Sequence, residues 1–149
     1  MKRMTKNEYK KYMEECANRV WTEPGYTMEK YNSDLDAVEI LPLDLSKFPQ
    51  LSEETIKWIN IFFDEEDTDR NGEYMLRGFT RSPWKTMEKL GLSYGDYAYG
   101  DLSYWAYNNN QRLIFTYCEG DTTLKMFATQ EEYDKKYAST LAWYKEEYA

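Results

Sequence analysis

Apolar side chains near the start of the chain recur at the spacing of one helix face. Thr5 and Glu8 have the spacing of a capping box, in which each side chain accepts a hydrogen bond from the backbone N–H of the other residue. The apolar positions that follow fall on one stripe: Tyr9, Tyr12, Met13, Cys16 and Val20. This pattern predicts an amphipathic helix over residues 6–20, which ends before Pro24 and Gly25.

The middle of the chain carries the signals of two further helices. Ser52 is a predicted N-cap, and apolar residues follow it at helical spacing as far as Phe63. Ser82 is the predicted N-cap of a shorter helix, with Pro83 as its first helical residue and Gly91 just beyond its end.

A fourth helix is predicted at the end of the chain. Thr129 and Glu132 form a second capping box. The stripe that follows is rich in tyrosine: Tyr133, Tyr137, Leu141, Tyr144 and Tyr148. Glu131 with Lys135, and Glu132 with Lys136, have the spacing of ion pairs on the outer face.

Strands are predicted where short runs are rich in β-branched and aromatic residues. One run covers residues 37–41 and is followed by Pro42, which favours an edge strand or the end of a strand. A second covers residues 73–79.

Three further runs lie close together at residues 102–107, 112–118 and 122–128. The short turn sequences that separate them are typical of an antiparallel meander. With the four helices, these runs predict an α+β fold in a single domain of residues 1–149, with about four helices packed on a mostly antiparallel sheet. A C-terminal three-stranded meander followed by a helix completes it.

Composition places the chain among ordinary globular proteins. Of its 149 residues, 42% are hydrophobic and 31% charged, which is enough apolar material to form a core. No run approaches the roughly 20 apolar residues that span a bilayer, and the basic N-terminus has no apolar segment behind it, so a cytoplasmic location without a membrane partner is expected. Cys16 and Cys118 lie in predicted apolar faces and are interpreted as buried thiols, not as a disulfide or metal ligands.

The net charge of −8 is concentrated in the middle of the chain. Residues 31–80 contain four Lys or Arg against twelve Asp or Glu. Such a charge distribution repels phosphate backbones and anionic membranes, and it attracts basic proteins at a distance. Direct nucleic-acid binding is therefore not expected.

Residues 64–74, DEEDTDRNGEY, resemble part of a calcium-binding loop. Asp67, Asp69, Asn71 and Gly72 match positions 1, 3, 5 and 6 of the loop of a calcium-binding helix-loop-helix motif. The match then fails, since its position 12, which requires a bidentate Glu, is Gly78. The preferred interpretation is a turn closed by Asp and Asn side chains, in which Gly72 has a positive φ.

The absence of histidine argues against an enzyme. It excludes Ser-His and Cys-His nucleophilic sites as well as imidazole metal ligands, and no phosphate-binding glycine motif is present. The acidic residues around the meander, Asp96, Asp101, Glu119 and Asp121, are interpreted as turn formers. A small enzyme with paired carboxylates is the least favoured hypothesis.

Residues 93–110 hold an unusual density of aromatic side chains. Tyr104, Trp105 and Tyr107 are expected to cover the two sides of a strand. The remaining tyrosines, Tyr94, Tyr97 and Tyr99, lie among Gly and Asp residues and are expected on an exposed loop.

Two functional hypotheses follow. The first is an acidic protein-interaction module, such as an inhibitor or immunity-type protein that mimics nucleic-acid charge on a basic partner. Some anti-restriction and anti-CRISPR proteins share this size and charge, but no motif links the chain to a family. Its predicted contacts are Asp64, Glu65, Glu66, Asp67, Asp69, Glu73, Tyr94, Tyr97 and Tyr99.

The alternative is a cation or small-ligand site in residues 64–73, with Asp67, Asp69 and Asn71 as ligands of Ca²⁺. No other cofactor is expected, and the aromatic helix stripes are also compatible with a homodimer.

Overall fold

A computed structural model describes residues 1–100 and 102–149 of the protein. Asp101, one of the predicted turn formers, lies outside the described residues. The backbone divides into two compact units, residues 1–43 and residues 44–149, which are described separately.

The first unit contains two helices and two short strands. In chain order these are β1 (Lys2–Met4), α1 (Lys6–Thr22), α2 (Met28–Asp36) and β2 (Val38–Ile40), and the two strands pair in parallel. The predicted capping box is confirmed: Thr5 N donates to Glu8 Oε1 at 3.0 Å, and Glu8 N donates to Thr5 Oγ1 at 3.2 Å. Helix α2 was not predicted, because it contains no buried residue and therefore carries no strong apolar stripe.

The second unit is built on a six-stranded antiparallel sheet. Its elements are α3 (Glu53–Phe62), β3 (Glu65–Thr68), β4 (Tyr74–Phe79), α4 (Trp84–Lys89), β5 (Ser93–Tyr94), β6 (Ser103–Asn108), β7 (Leu113–Cys118), β8 (Asp121–Met126) and α5 (Gln130–Tyr148). The strand order is β3-β4-β8-β7-β6-β5. The predicted α+β class, with a C-terminal meander followed by a helix, is confirmed. The chain has five helices within the described residues, where about four were predicted.

The sheet is buried differently on its two faces. On one face α5 packs over a cluster of buried residues from the meander and the helix: Trp105, Ile114, Phe127, Tyr133 and Tyr144. On the other face, side chains opposite one another in four adjacent strands form a fully buried row: Leu76, Leu124, Phe115 and Ala106. The end of α3 lies close to this second face, where a Cβ on Gly78 would come 2.5 Å from the carbonyl oxygen of Phe62.

Three local predictions need correction. Residues 64–73 are not a turn throughout, because β3 occupies residues 65–68. This strand was not predicted, since its residues are all charged or polar. Helix α4 begins at Trp84, with Pro83 in the cap position, and Ser82 donates its backbone N–H to Thr80 Oγ1 instead of capping the helix. Cys16 is buried, but Cys118 is exposed, because it is the last residue of β7.

None of the described helices is both long and apolar enough to cross a membrane.

Candidate functional site

The predicted acidic turn closes on the side chain of Asp69. Its Oδ1 accepts hydrogen bonds from the backbone N–H groups of Asn71 and Glu73, both at 2.9 Å. Gly72 has a φ of +80°, a conformation that glycine adopts without strain. The interpretation of this segment as a turn closed by an Asp side chain is therefore confirmed for residues 69–73.

The second oxygen of the same carboxylate belongs to an ion-pair network. Asp69 Oδ2 accepts a hydrogen bond from Lys125 Nζ on β8. Glu73 Oε1 lies 3.5 Å from Lys125 Nζ and 3.7 Å from Lys136 Nζ on α5. These four residues, named here the lysine cluster, lie on the α5 side of the sheet. The Lys125 ammonium, with the backbone N–H of Glu73, lowers the pKa of Asp69 to about 2.

The remaining carboxylates of this segment are arranged along β3. Asp67 Oδ2 accepts from Arg77 Nε at 3.1 Å, in a pair of which both side chains are about half exposed. Glu66 Oε2 accepts from the hydroxyl of Tyr74 at 2.7 Å; burial and this hydrogen bond raise the pKa of Tyr74. Glu65 is partly exposed and Asp64 is exposed. Asp67, Asp69 and Glu73, which are predicted partner-binding residues, thus each have a cation of the same chain beside them.

The three predicted calcium ligands do not converge. Asp67 and Asp69 are each bound to a different cation of the chain, Arg77 and Lys125, and the contact of Asn71 with Asp69 uses its backbone N–H. Among residues 1–100 and 102–149, no three Asp, Glu, Cys or His side chains are placed to hold a metal ion together.

The three tyrosines that were predicted on an exposed loop are exposed, but Tyr94 lies in strand β5 and not in a loop. The exposed fractions of Tyr94, Tyr97 and Tyr99 are 60%, 41% and 57%. Their rings point to different sides of the sheet edge, since Tyr94 contacts Tyr104 at 5.2 Å between centroids, whereas Tyr99 stacks on Tyr148 of α5 at 5.4 Å.

The segment that carries these tyrosines is held by the strand beside it. Gly95 N donates to the carbonyl of Trp105 at 2.8 Å, and the indole Nε1 of Trp105 donates to the carbonyl of Asp96 at 2.9 Å. Gly95 is required at this point, because a Cβ there would lie 2.0 Å from the Trp105 ring. Tyr104, Trp105 and Tyr107 lie on strand β6, as predicted, and Tyr104 and Trp105 are buried.

The acidic strand and the tyrosine loop are not brought together. Strand β3 forms one edge of the sheet and β5 forms the other. Five strand intervals of about 4.8 Å separate them, or roughly 24 Å. The two sets of predicted partner-binding residues therefore lie at opposite ends of the second unit.

A cavity of about 640 Å³ lies between α5 and the sheet, and the sequence did not predict it. Its lining includes the lysine cluster residues Asp69, Lys125 and Lys136 at one part, and Trp143 and Tyr148 at another.

Lys136 was expected to pair outward with Glu132, but its side chain is only 26% exposed and faces Glu73. The available signal was its helix position, one turn before Thr140, which is buried. The outer pair of Glu131 and Lys135 is confirmed at 3.4 Å.

Comparison of the chain with known protein families, with characterised proteins and with solved structures finds no match.

Proposed function

We propose that the protein acts by binding a protein partner that carries a basic surface. The observation that carries this proposal is a group of aromatic rings at the surface, named here the aromatic edge: Tyr99, Trp143 and Tyr148. Tyr99 and Trp143 are exposed, and each contacts the partly exposed Tyr148. Tyr99 stacks on Tyr148, and the Trp143 ring lies 6.1 Å from the Tyr148 ring. Trp143 is 50% exposed. Contiguous exposed aromatic surface is typical of binding sites, where tyrosine and tryptophan dominate the binding energy.

The aromatic edge is held in place before any partner binds. Tyr99 N donates to the carbonyl of Ser103 at 2.7 Å, which fixes the loop to the start of β6. The hydroxyl of Tyr144 donates to the carbonyl of Tyr104 at 3.2 Å, which fixes α5 to the same strand. A surface ordered in advance loses little conformational entropy on binding, and this supports a role in recognition.

Charge supports a basic partner. Residues 44–149 contain 12 Lys or Arg and 19 Asp or Glu, and Glu146 and Glu147 follow Trp143 on α5 as exposed residues. A partner arginine can stack on an exposed aromatic ring while it pairs with a nearby carboxylate. Proteins that bind nucleic acid have such basic surfaces, so an inhibitor or immunity-type role is the specific form of this proposal. The acidic strand β3 contributes to long-range attraction, not to the same contact area.

The test is capture of partners from a lysate of the source cells at low and high salt. Wild-type protein is compared with Tyr99→Ser, with the pair Glu146→Gln and Glu147→Gln, and with Trp84→Gln. Trp84 is an exposed tryptophan on α4, outside the aromatic edge, and serves as the matched control. We expect a basic protein to be retained at low salt and released at high salt, as charge-driven binding requires.

Quantitative binding to the captured protein then separates the contributions. We expect Tyr99→Ser to raise the dissociation constant by about tenfold, as loss of an aromatic side chain from an interface does. The double variant Glu146→Gln and Glu147→Gln should show a weaker dependence of binding on salt, and Trp84→Gln should bind like wild type. A partner that binds all four proteins equally would contradict the proposal.

The alternative prediction, a cation site at Asp67, Asp69 and Asn71, has less support because the first two carboxylates are already paired with Arg77 and Lys125. Its test is whether added Ca²⁺ raises the melting temperature in a saturable way.

A further inference from the structure

The cavity under α5 has the size and lining of a small-molecule site. Its volume of about 640 Å³ is in the range of known ligand pockets. Ile114 and Met75 line it from the sheet, and Trp143 and Tyr144 line it from α5. These side chains provide an apolar wall on each side.

Most of the polar groups around this cavity already have partners. The hydroxyls of Thr116 and Thr123, on adjacent strands, form a hydrogen bond with each other. The Ser139 hydroxyl donates to the carbonyl of Lys136 at 3.1 Å. Both carboxylate oxygens of Asp69 also have partners: one accepts the backbone hydrogen bonds that close its turn, and the other accepts from Lys125.

Among the described residues, Lys136 has only one long ion pair. Its ion pair with Glu73 has an N–O distance of 3.7 Å, which is too long for a hydrogen bond, and Glu73 is shared with Lys125. An ammonium group has three donors, so Lys136 retains donors for a further acceptor.

The surroundings of Lys136 favour an added anion. Burial and the positive charge of Lys125 lower the pKa of Lys136 despite the opposing charges of Glu73 and Asp69, which means that its charged form is less stable there than in water. An anion beside the ammonium would offset this loss. Lys136 and Ser139 also line a second cavity of about 590 Å³.

We propose that the cavity binds a small amphipathic anion, with its anionic group on Lys136 and its apolar body between Ile114 and Trp143. This proposal goes beyond the partner-binding proposal. The two share Trp143, which lines the cavity and belongs to the aromatic edge, but Lys136, which would hold the anionic group, is not part of that edge. The ligand class is a compact molecule that carries an apolar body and one carboxylate, sulfonate or phosphate.

The test uses two fluorescent probes that differ in a single group. 8-Anilinonaphthalene-1-sulfonate has two aromatic groups and a sulfonate, and N-phenyl-1-naphthylamine is the same skeleton without the sulfonate. We expect both to bind folded wild-type protein at one saturable site. In Lys136→Gln, the sulfonate probe should bind about tenfold more weakly, as expected for loss of a charged hydrogen bond, and the neutral probe should bind within about twofold of wild type.

Two further variants complete the experiment. Lys145→Gln removes the same charge from an exposed position on α5 that does not line either cavity, and it should leave both affinities unchanged. Ser139→Trp places a large side chain in the cavity and should abolish binding of both probes, while its melting temperature and near-UV circular dichroism verify that it is folded. No saturable binding to wild-type protein, equal loss in Lys136→Gln and Lys145→Gln, or unchanged binding in folded Ser139→Trp would each overturn the proposal.

Discussion

Asp69 joins two parts of the second unit through a single carboxylate. One oxygen closes the turn that leads into β4, and the other binds Lys125, which lies 56 residues later in the chain. The Asp69 side chain is 17% exposed and that of Lys125 is 12% exposed, so solvent screens this pair less than the surface pairs. Its ionisation should therefore affect the stability of the fold.

We predict that Asp69→Asn lowers the free energy of unfolding by about 2 kcal/mol at pH 7, through loss of a charge-assisted hydrogen bond. Asparagine keeps the oxygen that closes the turn, so the effect reports mainly on the pair with Lys125. The pKa of Asp69 is lowered in the folded state from its ordinary value of 3.8 to about 2. Its contribution is therefore complete above about pH 4 and is lost as the pH falls towards 2, so the gap between wild type and variant should narrow over that window. Urea unfolding of both proteins at pH 7, 4 and 3 measures this difference in the free energy of unfolding.

Asp67→Asn is the matched control for this prediction. Asp67 is also paired, with Arg77, but both side chains are about half exposed. Surface pairs of this kind contribute at most about 1 kcal/mol, so we expect a small effect at every pH. A gap for Asp69→Asn that stays constant down to pH 3 would show that ionisation of Asp69 is not its source.

At the residue scale, local roles could be predicted from the sequence and distant partners could not. The role of Asp69 in the turn and the positive φ of Gly72 depend on a few adjacent residues. The pairing of Asp69 with Lys125 depends on which strands are neighbours, which no local pattern encodes. Lys136 illustrates the same limit, since its spacing from Glu132 is compatible with an outer pair although the fold offers Glu73 instead.

At the scale of elements, α5 connects both proposed sites. It contributes Trp143 and Tyr148 to the aromatic edge, and Lys136 to the cavity. Its position depends on tyrosines that reach the meander: the Tyr133 hydroxyl donates to Asn109 Oδ1 at 2.6 Å, and the Tyr137 ring meets the Trp105 ring edge-on at 5.3 Å. The start of this helix is fixed by Thr129, whose hydroxyl accepts from Glu132 N at 3.2 Å.

We predict that Thr129→Ala lowers the free energy of unfolding by about 1 kcal/mol, because the first turn of α5 loses its capping acceptor. Thr129→Ser keeps the hydroxyl and should unfold like wild type to within a few tenths of a kcal/mol. Thermal or urea denaturation of the three proteins measures this. Equal destabilisation by alanine and serine would mean that the methyl group of Thr129 matters, not the cap.

Elements were predictable where their signal is local and strong. The caps at Thr5, Ser52 and Thr129 each accept the expected backbone hydrogen bond. Strand β3 was not predictable from its pattern, because four charged or polar residues, Glu65 to Thr68, contain no apolar alternation. Its charges suit an edge strand, since they oppose pairing with a second molecule.

At the scale of the whole molecule, the strand order decides which residues can act together. Strand β4 pairs with β8, although more than 40 residues separate them in the chain, and this places the β3–β4 hairpin on the far side of the meander from β5. Carboxylates and tyrosines that the sequence suggested as one site are thus at opposite edges. Non-local pairing of this kind gives no signal in hydrophobic periodicity.

The two units also differ in the core that each contains. The buried hydrophobic residues of residues 1–43 are Cys16, Tyr26 and Leu43, whereas residues 44–149 contain the six-stranded sheet with its buried residues on both faces. A segment of about 40 residues rarely folds without a disulfide, a metal or a partner, and one of about 100 residues commonly does.

We therefore predict that the fragment 44–149 folds by itself and that the fragment 1–43 does not. The longer fragment should keep the near-UV circular dichroism of its buried Trp105 and should unfold in urea in one sigmoidal transition, as cooperative domains of this size do. The shorter fragment should give the far-UV spectrum of a largely unfolded peptide. A gradual, non-sigmoidal unfolding of residues 44–149 would contradict this prediction. It would mean that residues 1–43 are needed for cooperativity and that all 149 residues form one folding domain, as the sequence predicts.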